Sequence, residues 1–218
     1  MSSAATTASV ARSRGGFLGS RLGSLLAVLP LGVWTLGHLW NNLAAFQGES
    51  QWQAAVTQYP HPLAQFATAI VVLLPLVLHA VWGIGRLFTT QPNNVRYGYF
   101  ANLKYVLQRL SAIGLLLFIG AHLWLAMLRP RFVEGRAETF ADLSHEMHFH
   151  GPTFAVYVLG TLALAYHLAN GLHTFAMGWG LVSSRRALRK LEAGVLLLFV
   201  VFLAMGWGAI YALYRAAT

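Results

Sequence analysis

Five long apolar runs, separated by short polar connections, dominate the pattern of this chain. They fall at about residues 22–46, 63–88, 103–128, 153–181 and 193–214. Each reaches or exceeds the roughly 20 residues that a helix needs to cross hydrocarbon, and none shows the period-2 alternation of a transmembrane β-strand. The pattern therefore predicts an all-α membrane protein with five transmembrane helices, which we call spans 1 to 5.

The connections between the spans are too short to fold separately. Residues 21–218 are therefore predicted to form one five-helix transmembrane domain, preceded by an N-terminal tail at residues 1–20 that is rich in Ser, Ala and Thr. Composition agrees, since only 10% of the 218 residues are charged, against about a quarter in a soluble domain. A chain with so few charges cannot cover a water-facing surface with polar groups.

Basic residues are concentrated on one side of the predicted membrane. That side carries Arg12, Arg14, Arg21, Arg86, Arg96, Lys104, Arg109, Arg185, Arg186, Arg189 and Lys190. The other side carries only Arg129, Arg131, Arg136 and Arg215. Because basic loops stay in the cytoplasm, the N-terminal tail is predicted to be cytoplasmic and the C-terminus to lie outside. The net charge of +9 then reflects topology and contacts with lipid headgroups or a peripheral protein, and no nucleic-acid partner is predicted.

Nine histidines fall into two groups. Those in the outer connections are predicted to be solvated loop residues: His61, His145, His148 and His150. Those within the spans are His38, His79, His122, His167 and His173. An ionisable side chain inside a membrane helix is costly and marks a functional site by default. For each histidine alone, the alternative is a hydrogen bond to a neighbouring helix.

Depth sorts four of these histidines into two pairs. His38 and His122 lie about 9 and 7 residues before the outer ends of spans 1 and 3, roughly 13 and 10 Å deep. His79 and His167 lie about 17 and 15 residues beyond the outer ends of spans 2 and 4, roughly 25 and 22 Å deep. The first two therefore share an outer level and the second two an inner level.

Two histidines on separate helices at one level form a bis-imidazole clamp, which in a helix bundle holds haem iron. The two levels therefore predict two haems b, held by a bundle of spans 1 to 4. His173 follows His167 by six residues, about 240° around the helix, so both cannot bind one iron. Depth measured from the cytoplasmic end favours His173 as the partner of His79, and depth measured from the outer end favours His167. Depth alone leaves this choice open.

Glycines and tryptophans beside these sites allow two interpretations each. The glycines serve either close helix packing or the approach of a flat macrocycle: Gly32, Gly37, Gly83, Gly85, Gly114, Gly120, Gly160 and Gly171. Tryptophans near the span ends are predicted to form interfacial belts: Trp40, Trp52, Trp82, Trp124 and Trp179.

Other chemistry is excluded by what the chain does not contain. It has no cysteine, hence no thiolate-held cluster and no covalent c-type haem. All six carboxylates lie outside the apolar runs, which argues against a proton-coupled transporter. No phosphate-binding loop, nucleophile elbow or dinucleotide fingerprint occurs in a suitable setting. The sequence therefore predicts a chain that conducts electrons while substrate chemistry takes place elsewhere.

At this point the sequence resembles the di-haem cytochrome b membrane anchor, of b558 type, of bacterial succinate:menaquinone oxidoreductase and fumarate reductase (complex II). The segments that carry the resemblance are RLGSLLAVLPLGVWTLGHLWNN, LLPLVLHAVWGIGRLF, YGYFANLKYVLQRLSAIGLLLFIGAHLW and YHLANGLHTFAMGWG. They span about residues 21 to 180 in the family's order. The resemblance implies axial ligands at His38 and His122 for the outer haem, and at His79 and His167 for the inner haem. His167 takes the first position of the H-x-x-N-G motif and is preferred on that ground.

The resemblance also implies an assembly in the bacterial cytoplasmic membrane. Its partners would be a flavoprotein with FAD and an iron-sulfur subunit docked on the cytoplasmic face, and electrons from succinate would pass through both haems to menaquinone. Arg21, Ser24, Arg109 and His173 are candidates for contacts with haem propionates or the quinone; for the arginines the alternative is snorkelling to the interface. Some fumarate reductases of the family carry a membrane glutamate, and its absence from the apolar runs favours succinate oxidation.

Two other functions compete with this hypothesis. One is a haem b, quinone-reactive subunit of a formate dehydrogenase or hydrogenase, which would co-purify with a molybdenum or nickel enzyme. The other is a haem-free transporter or structural membrane protein whose histidines bond only to neighbouring helices. That protein would be colourless.

Overall fold

A computed structural model describes residues 19, 21–57, 62–89 and 98–217 of the chain. Most of the predicted tail, residues 1–20, lies outside them, as do His61, Arg12, Arg14 and Arg96. The described chain is helical, without a strand. Helices long and apolar enough to cross a membrane occupy Arg21–Gln47, Phe66–Phe88, Asn102–Val133, Gly151–Gly178 and Arg185–Ala216. These are spans 1 to 5, and they confirm the predicted all-α, five-span membrane fold.

Two spans change helical pitch where they contain proline. Span 1 passes through a π-helix, Ala27–Gly32, before the α-helix Val33–Asn42 and a 3₁₀ turn, Leu43–Gln47. Span 3 is the α-helix Phe100–Leu123 followed by a π-helix, Trp124–Val133. The π-helices contain Pro30 and Pro130. Proline removes one backbone donor and clashes with the preceding turn, and at these two positions the wider helix accommodates it, whereas Pro75 lies within an α-helix.

Three of the helices keep α geometry over their full length. Span 2 lies within the helix Pro62–Thr89, which contains Pro75. Span 4 is the helix Gly151–Gly178, with proline at its first turn. Span 5 is the helix Arg185–Ala216, capped by Ser184, whose hydroxyl accepts a hydrogen bond from the Ala187 N–H at 3.2 Å.

Span 4 lies at the centre of the bundle, between spans 3 and 5. Small residues make this packing close: a Cβ at Gly206 of span 5 would lie 3.0 Å from Thr161 Cγ2 of span 4, and Ala165 is fully buried. Such contacts are the usual means by which membrane helices associate. Span 2 packs mainly along the π-helical part of span 1. This arrangement brings spans 1 and 3, and spans 2 and 4, near enough to share ligands.

Two short helices that the hydropathy pattern did not predict cover the end of the bundle that the charge pattern predicts to face outward. They are Glu49–Val56 and Phe140–Phe149, and we call them the outer cap. Trp52 is fully buried between them and the spans, and its indole N–H donates to Asn42 Oδ1 at 3.2 Å. The prediction that Trp52 belongs to an interfacial belt was therefore wrong. Gln53 joins the two helices by accepting from the Phe140 N–H at 2.8 Å.

The start of span 5 also differs from the sequence-based prediction. Arg185, Arg186, Arg189 and Lys190 were predicted to fill the fourth connection, but they form the first turns of the span 5 helix. The segment was assigned to the connection because its charged residues lie outside the apolar run 193–214. Glu192 belongs to the same helix and pairs with Lys104 of span 3 at 3.7 Å.

The capping box at the start of Phe140–Phe149 makes the outer cap sensitive to acid. Thr139 Oγ1 accepts from the Asp142 N–H, and Asp142 accepts from the Thr139 N–H, both at 3.1 Å. A hydrogen bond from Arg136 lowers the pKa of Asp142 from 3.8 to about 2. A carboxyl with a lowered folded-state pKa stabilises above its unfolded pKa and ceases to do so as the pH falls through its folded value. Its contribution should therefore disappear between about pH 4 and pH 2.

Removing this cap should loosen the helix Phe140–Phe149. Thr139→Ala is expected to cost about 1 kcal/mol, which corresponds to roughly fivefold faster amide exchange in that helix at neutral pH. Hydrogen exchange of the detergent-solubilised protein, read by mass spectrometry, measures this change. Ser50→Ala, an exposed position of the other cap helix, is the control. Equal exchange in the two variants would show that the capping box is not what holds the helix.

Candidate functional site

Two pairs of histidine rings face each other inside the bundle. The ring centroids of His38 in span 1 and His122 in span 3 are 5.7 Å apart, with planes at 73°. Those of His79 in span 2 and His167 in span 4 are 6.2 Å apart, with planes at 71°. The structure therefore brings together the residues that the depth argument placed at the outer and inner levels.

The inner histidine of span 2 is held by the backbone of span 1. His79 Nδ1 lies 3.1 Å from the carbonyl oxygen of Gly23, so the Nδ1–H donates there. Glycine is required at this point, because a Cβ at Gly23 would lie 2.5 Å from Cδ2 of the Trp82 ring. Trp82 lies in turn beside His79, with 5.8 Å between ring centroids.

The inner histidine of span 4 is held by side chains of span 3. His167 Nδ1 lies 3.2 Å from Gln108 Nε2 and 3.5 Å from Ser111 Oγ. Gln108 Oε1 accepts from Asn170 Nδ2 at 2.8 Å. Ser111 and Asn170 are both buried, so this is a polar cluster within the membrane part of the bundle.

The outer histidines have aromatic neighbours. His122 Nδ1 lies 3.0 Å from the hydroxyl of Tyr157, and its ring stacks on Phe118 at 5.6 Å and 29°. The ring of His38 stacks on Trp34 at 4.6 Å and 12°. The outer cap contacts this part of span 1 through Trp52, which donates to Asn42 Oδ1, and Asn42 Nδ2 donates in turn to the His38 carbonyl oxygen at 2.8 Å.

These contacts suit metal ligation through Nε2. A histidine that binds metal through one ring nitrogen commonly donates its other N–H to a protein group, and Nδ1 of His79 and of His122 already faces an oxygen that can accept this proton. Nδ1 of His167 lies beside the side-chain amide of Gln108. Among the described residues, no three His, Cys, Asp or Glu side chains gather as a metal site. A bare zinc site takes three or four protein ligands. A pair of imidazoles fits a metal that brings its other ligands with it, as haem iron does.

The glycines divide between the two interpretations. Gly114 and Gly160 serve helix packing, because a Cβ at these positions would contact Ala163 and overlap Phe118. Gly83 and Gly171 instead lie one turn after His79 and His167, on the same helix faces. No described atom lies within 4 Å of a Cβ at Gly83, and a Cβ at Gly171 would lie 3.8 Å from Gln108 Nε2. These two glycines suit the approach of a flat ring.

Two residue spacings in the sequence also indicate this geometry. At the inner level both histidines belong to an H-x-x-x-G spacing, and at the outer level both belong to an aromatic-x-x-x-H spacing, with Trp34 and Phe118 as the aromatic residues. Residues four apart share a helix face. The spacing therefore identifies which neighbour lies above or below each histidine.

The remaining candidate residues lie in three different places. Ser24 Oγ donates to the Arg21 carbonyl at 2.9 Å and accepts from Trp179 Nε1 at 3.2 Å, beside Gly23 and the inner pair. Arg109 is placed toward span 2, where it donates to the Arg86 carbonyl at 3.0 Å. The structure therefore places Ser24 beside the Arg21 backbone and Arg109 beside Arg86 of span 2.

His173 faces another part of the bundle. The charged groups that act on it are Lys104 of span 3 and Glu192 of span 5, whereas His167 faces span 2. Its Nε2 is buried and forms no hydrogen bond within the part of the chain that the structure describes. His167 is therefore the histidine of span 4 that the structure brings to His79.

Comparison with known proteins connects this geometry to a family. Residues 100–206 match the family model described as succinate dehydrogenase/fumarate reductase transmembrane subunit. The succinate dehydrogenase cytochrome b558 subunit of Bacillus subtilis (strain 168) is 32% identical over 193 residues, which cover 88% of this chain and 94% of that protein. Both matches include span 4, and the second extends over most of the chain.

Proposed function

This chain belongs to the family of transmembrane subunits of succinate dehydrogenase and fumarate reductase, and from this premise we propose that it conducts electrons through two haems b to menaquinone. It is the membrane subunit of an enzyme complex whose catalytic subunits are separate chains. Because the chain belongs to this family, the alternative function as a subunit of a formate dehydrogenase or hydrogenase is set aside. The observation that carries the proposal is the pair of facing histidines at each of two levels.

Each histidine has a distinct task in this proposal. His79 and His167 would hold the inner haem, and His38 and His122 the outer haem. When bound, each haem supplies an iron that takes up and releases one electron. The chain's own residues keep the imidazoles in place: the Gly23 carbonyl fixes His79, the Tyr157 hydroxyl fixes His122, and Trp34 supports the ring of His38.

Charge placement supports docking of the catalytic subunits at the end where spans 1 and 5 begin. On the opposite side, Arg129, Arg131 and Arg136 each form an ion pair with a carboxylate of the same connection, so their charge is locally balanced. The described basic residues at the end where spans 1 and 5 begin would then mark the cytoplasmic face. We propose that a flavoprotein with FAD and an iron-sulfur subunit bind there, in the bacterial cytoplasmic membrane, with the N-terminus cytoplasmic and the C-terminus outside.

The Arg21 and Ser24 cluster is proposed to meet a haem propionate. Ser24 follows Gly23, whose carbonyl holds His79. The Arg21 guanidinium lies 5.7 Å from the centroid of the Trp179 ring, and the Trp179 indole N–H donates to the Ser24 hydroxyl. Guanidinium groups bind carboxylates well because their donors form a planar fork. Arg109 and His173, which lie elsewhere, remain candidates for quinone contacts at the cytoplasmic end. Succinate oxidation is the proposed direction, since Glu192 lies near the cytoplasmic start of span 5 and the other carboxylates lie outside the spans.

Haem stoichiometry tests the proposal. The purified complex should show a reduced-minus-oxidised haem b spectrum, and a pyridine haemochrome assay should give about two haems per copy of this chain. One haem per chain would remove one of the two levels. A folded, colourless preparation would contradict electron transfer and leave the histidines as helix-packing groups.

A further inference from the structure

Gln108 of span 3 contacts His167 of span 4 at two atoms. Its Nε2 donates to the His167 carbonyl oxygen at 3.2 Å and lies 3.2 Å from His167 Nδ1. Its Oε1 accepts from Asn170 at 2.8 Å. An amide that only joined two helices would need one such bond, and here all three contacts converge on one turn of span 4.

The cluster has little access to water. Asn170 is 7% exposed and Ser111 is 8% exposed. Ser111 Oγ donates to the Gln108 carbonyl oxygen at 3.0 Å. In hydrocarbon an unsatisfied polar group is costly. The side-chain amides of Gln108 and Asn170 therefore satisfy each other, and Gln108 also bonds to His167.

The proton on His167 decides which atom of Gln108 must face it. A neutral imidazole carries one proton, and a metal at Nε2 leaves that proton on Nδ1. Nδ1 then needs an acceptor. The oxygen and nitrogen of an amide have nearly the same shape and can exchange places by rotation. If Gln108 and Asn170 both turn, Oε1 faces Nδ1–H and the bond between the two amides persists, while the bond from Gln108 Nε2 to the His167 carbonyl oxygen is exchanged for the bond to Nδ1–H.

We propose that Gln108 is a positioning residue for His167, with its amide oxygen accepting the Nδ1 proton and Asn170 fixing the amide. This inference rests on the proposed haem ligation. An acceptor on Nδ1 makes the imidazole more basic, and a more basic ligand favours ferric over ferrous iron. Gln108 therefore orients the imidazole and lowers the midpoint potential of the inner haem.

Three variants of the intact complex test this role. Gln108→Leu removes the acceptor at similar size, and Gln108→Glu retains a carboxyl oxygen. Thr174→Val is the control, because Thr174 is an exposed position of span 4 whose hydroxyl donates to the Gly171 carbonyl of its own helix at 2.9 Å. Haem content is measured first and the potentials of both haems by optical redox titration. We expect two haems in each, a raised potential of one haem in Gln108→Leu, and wild-type or lower potentials in Gln108→Glu.

The outcomes separate this inference from the proposed function. A wild-type complex without haem contradicts the proposed function. A wild-type complex with two haems whose potentials do not move in Gln108→Leu, or move upward equally in Gln108→Glu, overturns the inference alone. Should Gln108→Leu lose the inner haem, retention of that haem in Gln108→Glu supports the positioning role, and its loss there overturns it.

Discussion

His167→Ala is expected to lower the haem content of the purified complex from about two to about one per chain. His79 would lose its facing ring, 6.2 Å away, and one imidazole remains at the inner level. The outer pair, carried by spans 1 and 3, should be unaffected. The pyridine haemochrome assay gives the count. Succinate should then reduce the remaining haem far more slowly than dithionite does, because the inner relay is missing.

His173→Ala is the matched control on the same helix. This histidine lies six residues further along, toward Lys104 and Glu192, so its removal should leave both haems in place. The opposite result, with haem lost in His173→Ala and retained in His167→Ala, would show that depth counted from the cytoplasmic end identifies the ligand. It would also contradict the pairing of His79 with His167 in the structure.

Hydropathy predicted the spans well because a helix that crosses hydrocarbon must be apolar over roughly 20 residues. The predicted run 22–46 compares with Arg21–Gln47, and 63–88 with Phe66–Phe88. The errors occur where polar residues are helical. Span 3 continues to Val133 through Arg129 and Arg131, and span 5 begins at Arg185. Hydropathy measures the cost of placing a residue in lipid, and these residues extend the helices beyond the apolar run.

The outer cap escaped the sequence-based prediction for a related reason. Its helices, Glu49–Val56 and Phe140–Phe149, have eight and ten residues, and isolated helices of that length are marginal. They persist because Trp52 and Met147 are buried against the spans. That burial depends on the tertiary arrangement, so local pattern gave no reason to expect it.

The outer histidine pair could be predicted because depth follows from helix geometry, with a rise of about 1.5 Å per residue. At the inner level depth left both His167 and His173 as partners of His79, and the family resemblance favoured His167, which the structure brings to His79. The groups around each ring could not be predicted in the same way. Gln108 and His167 are 59 residues apart in sequence, and their contact depends on the rotation of spans 3 and 4 about their axes. Apolar runs fix the length of a span more strongly than its rotation.

Gly83→Leu is expected to abolish binding of the inner haem while leaving the fold intact. Gly83 lies one turn from His79 on the same face, and no described atom lies within 4 Å of its Cβ position. Leucine at an interior helix position is favoured over glycine by about 1 kcal/mol, so the helix itself should tolerate the change. A macrocycle bound beside His79 would meet the new side chain. The haem count should therefore fall to about one per chain.

Gly85→Leu is the matched control for Gly83→Leu. No described atom lies within 4 Å of a Cβ at Gly85 either, but the residue is about 200° away from Gly83 around the helix. We expect this variant to keep both haems. If span 2 presents both glycines only to lipid, the two leucines will be tolerated equally and the haem content will not differ. Selective loss in Gly83→Leu would instead locate the inner haem on the His79 face of span 2, independently of any change to a ligand.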